Sequence, residues 1–177
     1  MKLTKTLAAT VTGLALSAAV AAPASAVVDP TPTVTTITLN GGGLSIDGPA
    51  SASGSGSVTP GSTMTVTIED TSVTDSRGLL SGWTATGAST DFFNGTYSMP
   101  KALFTWATGA IATPNGSLTG VTAAASVPLN MAATFPVAVA IPLHGAGTFT
   151  YPATVTGVVP VNMVAGAYVG TITQSVI

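Results

Sequence analysis

The sequence predicts an all-β protein: a single antiparallel β-sandwich that follows a cleaved signal peptide. Three observations predict it. Short runs rich in β-branched residues alternate apolar and polar positions. Gly, Pro and Ser punctuate these runs. Beyond residue 26 no segment holds a convincing 3.6-residue apolar stripe. Many short strands with turn signals between them are the pattern of a sandwich.

Residues 1–26 read as a secretory signal peptide. Lys2 and Lys5 make a positive start, an apolar run fills 7–20, and Ala24-Ser25-Ala26 supplies the small residues before a cut. The run is shorter than the roughly 20 residues that span a membrane, and Pro23 interrupts its end. Cleavage after Ala26 leaves a length that suits one domain. Residues 27–36, VVDPTPTVTT, read as an extended leader, because Pro30 and Pro32 deny helix. Residues 37–177 are the expected β-sandwich domain.

Within that domain, residues 48–62 (GPASASGSGSVTPGS) have the composition of a linker, but strand signals flank them. They are expected to form a poor strand with loops, a flexible linker being the alternative. Residues 63–69, TMTVTIE, place Met64, Val66 and Ile68 on one face and threonines on the other. Residues 148–156, TFTYPATVT, do the same with Phe149, Tyr151, Ala153 and Val155. Pro152 lacks an amide hydrogen, which predicts an edge strand or a bulge there. Residues 168–176 put Tyr168, Ile172 and Val176 on one face, while 103–106 and 137–141 are weaker strand candidates. Residues 120–135 hold alanines, but Pro128 and scattered threonines leave room for a short helical turn at most.

Charge narrows the function. After the signal peptide the bases are Arg77 and Lys101; the acids are Asp29, Asp47, Glu69, Asp70, Asp75 and Asp91. Two bases cannot neutralise a run of phosphates, so nucleic acid is excluded as a partner. Steering to anionic lipid fails for the same reason. The chain has no cysteine. That removes disulfides, thiolate metal sites, a cysteine nucleophile and a lipidated cysteine. No second hydrophobic segment with a basic stop follows, and GTITQSVI at the end carries no sorting motif. No membrane insertion is expected.

The stretch VTDSRGLLSGW (residues 73–83) holds the single arginine. Asp75 and Arg77 share a face in extended chain, and Gly78 and Gly82 mark turns. A structural ion pair with Asp75, or with Asp70 or Asp91, is favoured over an anion site. Exposed pairs of this kind contribute only about 0–1 kcal/mol, more when partly buried. Trp83, with Ala85 on the same face, is expected in the core instead of serving as a platform for sugar rings. Trp106 is the more open candidate for a binding surface.

Catalytic and metal chemistry find little support. His144 is alone, with no cysteine or nearby carboxylate to complete a zinc site. No G-x-S-x-G elbow is present. No spacing singles out two carboxylates for glycoside hydrolysis; Glu69 and Asp70 are expected on opposite faces of a strand. An internal Lys–Asn bond from Lys101, with Glu69 as its acid, is opposed by Pro100, which predicts an exposed strand start. The expectation is therefore no enzyme, no cofactor and no metal.

Taken together, the motifs resemble the WxL cell-surface domain family, in the short secreted variant of high-GC Gram-positive bacteria. Residues 73–92, VTDSRGLLSGWTATGASTDF, resemble its proximal motif, with D-x-R-G and G-W-T elements. GAGTF (145–149) resembles a later glycine-rich approach to a strand, and VPVNMVAGAYVGTIT (159–173), with Tyr168 and Gly170, resembles the closing segment. The match runs from about residue 44 to the end. Two positions depart: Trp83-Thr84-Ala85 lacks the leucine of the first Trp-x-Leu, and Gln174-Ser175-Val176 replaces the second. Gln174 then stands on an apolar strand face, where an amide needs hydrogen-bond partners or water. It joins Trp106 as a candidate binding residue.

The resemblance implies a secreted, cell-surface, non-enzymatic module attached non-covalently to peptidoglycan, or associated with a companion surface protein. Cell-wall glycan or a sister surface protein is then the expected partner. A structural subunit that self-associates through strand edges is the alternative. A secreted hydrolase ranks lower, and alternation alone does not separate a sandwich from a membrane β-barrel.

Overall fold

The computed structural model describes residues 38–50, 52, 58–78 and 81–177. The expected signal peptide (1–26) and leader (27–36) lie outside the described residues, as does the middle of the strand expected in 48–62. The strands are β1 (Leu44–Asp47), β2 (Thr63–Asp75), β3 (Trp83–Ser89), β4 (Phe92–Asn94), β5 (Tyr97–Met99) and β6 (Phe104–Thr108). They continue as β7 (Ala112–Gly116), β8 (Val121–Ala123), β9 (Leu129–Asn130), β10 (Phe135–Ala140), β11 (Gly147–Val158) and β12 (Ile172–Val176). One 3-10 turn, Lys101–Leu103, precedes β6.

These strands form an all-β sandwich. One sheet runs β1-β2-β11-β6-β9, with β7 also beside β11; the facing sheet runs β12-β3-β10-β8. The hairpin β4–β5 stands apart. Every named pairing is antiparallel.

The core lies between the sheets because alternation sends every second side chain inward. From the first sheet come Val73 and Ile68 of β2, Phe149, Tyr151, Ala153 and Val155 of β11, and Phe104 and Trp106 of β6. The second sheet contributes Trp83 and Ala85 of β3 and Phe135, Val137, Ala138 and Ala140 of β10. Each fully buried large apolar side chain contributes about 1.5–3 kcal/mol.

Prolines set the irregularities. Pro152 was expected at an edge or a bulge; β11 is central, and the ring sits at a bulge against β2 and at a gap between β6 and β7. Opposite it, β2 shifts register between Thr71 and Ile68, so that Glu69 and Asp70 together face one residue. Both acids are exposed there, correcting the expectation of opposite faces. On the other side β6 ends at the Thr108↔Ala153 pair and β7 begins near Thr150. The Pro152 carbonyl accepts from Gly109 N–H at 2.8 Å, in the gap between those two strands. In an antiparallel strand a residue's N–H and C=O point to the same neighbour. The missing donor of Pro152 therefore faces a break in the ladder. Pro114 in β7 and Pro136 in β10 also sit at register shifts.

Other expectations are refined. Residues 120–135 hold β8, β9 and turns, with no helical turn. The last strand is shorter than 168–176, because Tyr168 and Gly170 lie before it. Its line is prolonged by a bridge between Val169 and Phe93.

Candidate functional site

Two regions bring the singled-out residues together, and they lie at different parts of the sandwich.

The first is a corner. At the end of β2 the Arg77 guanidinium clasps Asp75 in a fork: Nε donates to Oδ1 at 3.0 Å and Nη2 to Oδ2 at 2.9 Å. The Arg77 backbone N–H donates to Oδ1 as well. Nη2 also donates to the Gly82 carbonyl at 2.7 Å, which ties the far end of the loop to its beginning. Asp75 is almost fully buried, with 2% of its side chain exposed against 21% for Arg77. The Arg77 hydrogen bonds hold the Asp75 carboxyl below the usual carboxylate range, against the opposing effect of burial. Both oxygens of the sole acid at this corner are thus engaged, and the arginine is a structural tie.

Trp83 follows immediately. Its indole is buried, 5.7 Å from the Phe149 ring and tilted to it, and Nε1 donates to the Gly145 carbonyl at 2.9 Å. The GAGTF segment and the tryptophan motif, 62 residues apart, therefore meet. Gly145 has φ +89°, and a Cβ there would fall 2.6 Å from Trp83 Nε1. Gly82 has φ +70°, and a Cβ there would press on the Ala140 carbonyl. Both positions require glycine for conformation and for space. Gly78 lies exposed in the intervening turn. Residues 41–43 brace the corner from the other side, through Gly42 N–H to Ser76 C=O and Ser76 N–H to Gly43 C=O.

The second region is an apolar cleft of about 970 Å³ between the start of β2 and the segment that leads into β12. Met64, Val66, Ile68, Phe92, Met99 and Met163 are among its walls. Three methionines make an adaptable lining. Tyr168 closes part of it, its hydroxyl donating to the Val164 carbonyl at 2.9 Å. Gly170 lets the Phe92 ring approach; a Cβ there would lie 2.6 Å from that ring. Gln174 points into the cleft from β12. Its Nε2 donates to Thr71 Oγ1 at 3.1 Å, and Tyr151 O–H donates to its Oε1 at 3.0 Å. The amide thus joins the two sheets, and burial pushes the Tyr151 phenol up. Tyr151 is expected on the inward face of its strand, but its pairing with Gln174 and the part of Thr71 were not legible from sequence. An inward phenol and an inward amide each needing a partner is the signal that would have paired them.

Several candidates are redirected. Trp106 is wholly buried: its ring packs on Phe135, and Nε1 donates to Thr108 Oγ1, which donates on to the Val137 carbonyl. It has no surface to offer a ligand, because alternation along β6 turns Phe104, Trp106 and Thr108 inward together. The exposed aromatics are instead Phe93 and Tyr97 on the β4–β5 hairpin. Lys101 is not an exposed strand start. It sits on the 3-10 turn, where Nζ donates to the Ser89 carbonyl at 2.8 Å and its backbone N–H donates to Asp91. Glu69 is on the exposed bulge of β2, and Lys101 bonds to Ser89 and Asp91 instead of to it. His144 is half-buried in the β10–β11 loop and packs over Gly120. Among the described residues no group of three or more His, Cys, Asp and Glu could hold a metal ion, and no helix is long and apolar enough to cross a membrane.

No protein-family model, no curated protein and no solved structure matches the chain. Its chemistry has to be read from the corner and the cleft themselves.

A shallow depression beside the corner is lined by Arg77, Ser81 and Thr84 and by the apolar Ile141, Pro142 and Ile177. Ile141 is 52% exposed, its neighbour Leu143 68% and Ile177 81%. Leu143 has φ +72°, an unusual conformation for a non-glycine residue, at the tip of the β10–β11 loop.

Proposed function

We propose that this protein is a secreted, non-enzymatic module of the cell envelope that docks non-covalently on a companion surface protein. The observation that carries the reading is the apolar rim at the corner: Ile141, Leu143 and Ile177 stand out from a surface that is rigidly backed by the Asp75–Arg77 fork and Trp83. Exposed clusters of this kind mark protein contacts. Both tryptophans donate their indole N–H groups to internal acceptors. A flat indole platform for sugar rings is therefore missing among the described residues, which favours a protein partner over peptidoglycan glycan. The order of WxL-like motifs supports the envelope setting, and the corner supports a scaffolding role for Asp75, Arg77 and Trp83.

The test is sedimentation with walls of a high-GC Gram-positive bacterium, before and after protease treatment of the walls. Retention on native walls that is lost after proteolysis, and weakened by Ile141→Ser with Ile177→Ser, is the expected result. Retention on protease-stripped peptidoglycan would instead assign the glycan. Protein left in the supernatant in both arms would remove the envelope-binding reading.

A further inference from the structure

The edges of the two sheets are treated unequally. An exposed strand edge is a template for another strand, and proteins blunt such edges with shortness, charge, proline or bulges. Here β8 spans three residues and β9 two. β1 has four and ends in Asp47, and β7 carries Pro114 at a register shift. β12, ITQSV, has five residues, no charge, no proline and no register shift against β3.

The hydrogen-bond pattern shows which groups of β12 are left over. Ile177 and Thr84 exchange both backbone bonds. In an antiparallel ladder such pairs recur at every second residue, so Thr173 and Ser175 also turn their backbone groups toward β3. Ile172, Gln174 and Val176 consequently turn theirs away from β3. Among the described residues no strand hydrogen-bonds to that side, although β1 passes near β12 where the two sheets meet.

We infer that β12 is a homodimerisation edge: a second copy of this chain adds its own β12 antiparallel across a two-fold axis at Gln174. The edge is self-complementary in this register. Gln174 faces its own copy and Ile172 faces Val176 of the other chain, so all three outward N–H groups and all three outward carbonyls pair. Thr173 and Ser175 oppose each other on the exposed face. No like charges meet, because the strand has none. The two copies of the second sheet then join as one continuous sheet, an isologous contact of the kind that closes as a dimer. The paired residues, Ile172 to Val176, precede the rim residue Ile177 on the same strand line, and the contact does not depend on the envelope role.

The register makes the test specific. Analytical ultracentrifugation of the purified protein should show a concentration-dependent dimer. Thr173→Lys with Ser175→Lys sets lysine opposite lysine twice and should weaken association about tenfold. Thr173→Lys with Ser175→Glu sets lysine opposite glutamate twice and should retain the dimer, and the amides of Ile172, Gln174 and Val176 should gain exchange protection only on association. Circular dichroism checks that each variant keeps the β fold. A wild-type monomer up to about 1 mM, a dimer indifferent to the paired lysines, or equal loss in both double variants would overturn the assignment.

Discussion

The corner and the cleft use polar groups in opposite ways. At the corner an ion pair, two glycines and an indole fit closely: Nε and Nη2 of Arg77 each meet an oxygen, and an added methyl group at Gly145 has nowhere to go. In the cleft a single amide, Gln174, links Thr71 to Tyr151 beside about 970 Å³ of apolar space. The sandwich is therefore locked where its sequence is rich in special residues, and is filled only in part where methionine, valine and glutamine share the space. Stability should concentrate at the first region and adaptability at the second.

The largest effect that would sharpen this contrast is expected from Trp83→Ala. Removing the buried indole should cost about 3–5 kcal/mol in urea unfolding, against the usual scale for aromatic truncation in a core. A loss below that of Gln174→Ala would break the comparison.

Asp75→Asn comes next, at about 1–2 kcal/mol near neutral pH, because one charge-assisted fork is lost while Arg77 keeps contact with water. Its pH dependence has a defined sign. The folded carboxyl titrates lower than the unfolded one. The stabilisation is therefore fully present above the unfolded value, about 3.9, and is lost as pH falls through the folded value. Unfolding curves from pH 6 down to about pH 2 should show the wild type converging on the variant.

Gln174→Ala should cost about 1 kcal/mol, since it strands the hydroxyls of Tyr151 and Thr71 beside a cleft that can admit water. A thermal melt measures it. Smallest of all, Phe93→Ser on the exposed hairpin should stay within about 0.5 kcal/mol of wild type. If the same change abolished retention on protease-stripped walls, a sugar-binding aromatic would replace the apolar rim in the functional reading.

Much of the sandwich was legible in period-two alternation. The inward rows of β11 and of the first half of β2 follow directly from TFTYPATVT and TMTVTIE. The pairing of Asp75 with Arg77 and the core placement of Trp83 were legible too, since two opposite charges on one strand face and an indole beside Ala85 leave few other arrangements. What alternation does not contain is the phase change at a bulge. Glu69 and Asp70 differ by one position, so a regular strand would separate them; the β2 bulge opposite Pro152 puts both in solvent. Trp106 was misjudged because its inward partners, Phe104 and Thr108, flank it within a short strand that a local window barely registers. The Tyr151–Gln174 bond joins residues 23 apart on different sheets, and no local pattern announces it.

The three prolines inside strands have a consequence for how the chain can go wrong. Pro114, Pro136 and Pro152 each sit where two neighbouring strands have lost step. Sliding any of these strands by one residue would bring a ring without an amide hydrogen opposite a carbonyl that now has a donor. Misalignment is thus penalised separately in β7, β10 and β11, and an error in one ladder is not passed to the next. In a chain whose threonine-rich strands differ little from one another, these rings act as detents that let each strand click into a single alignment.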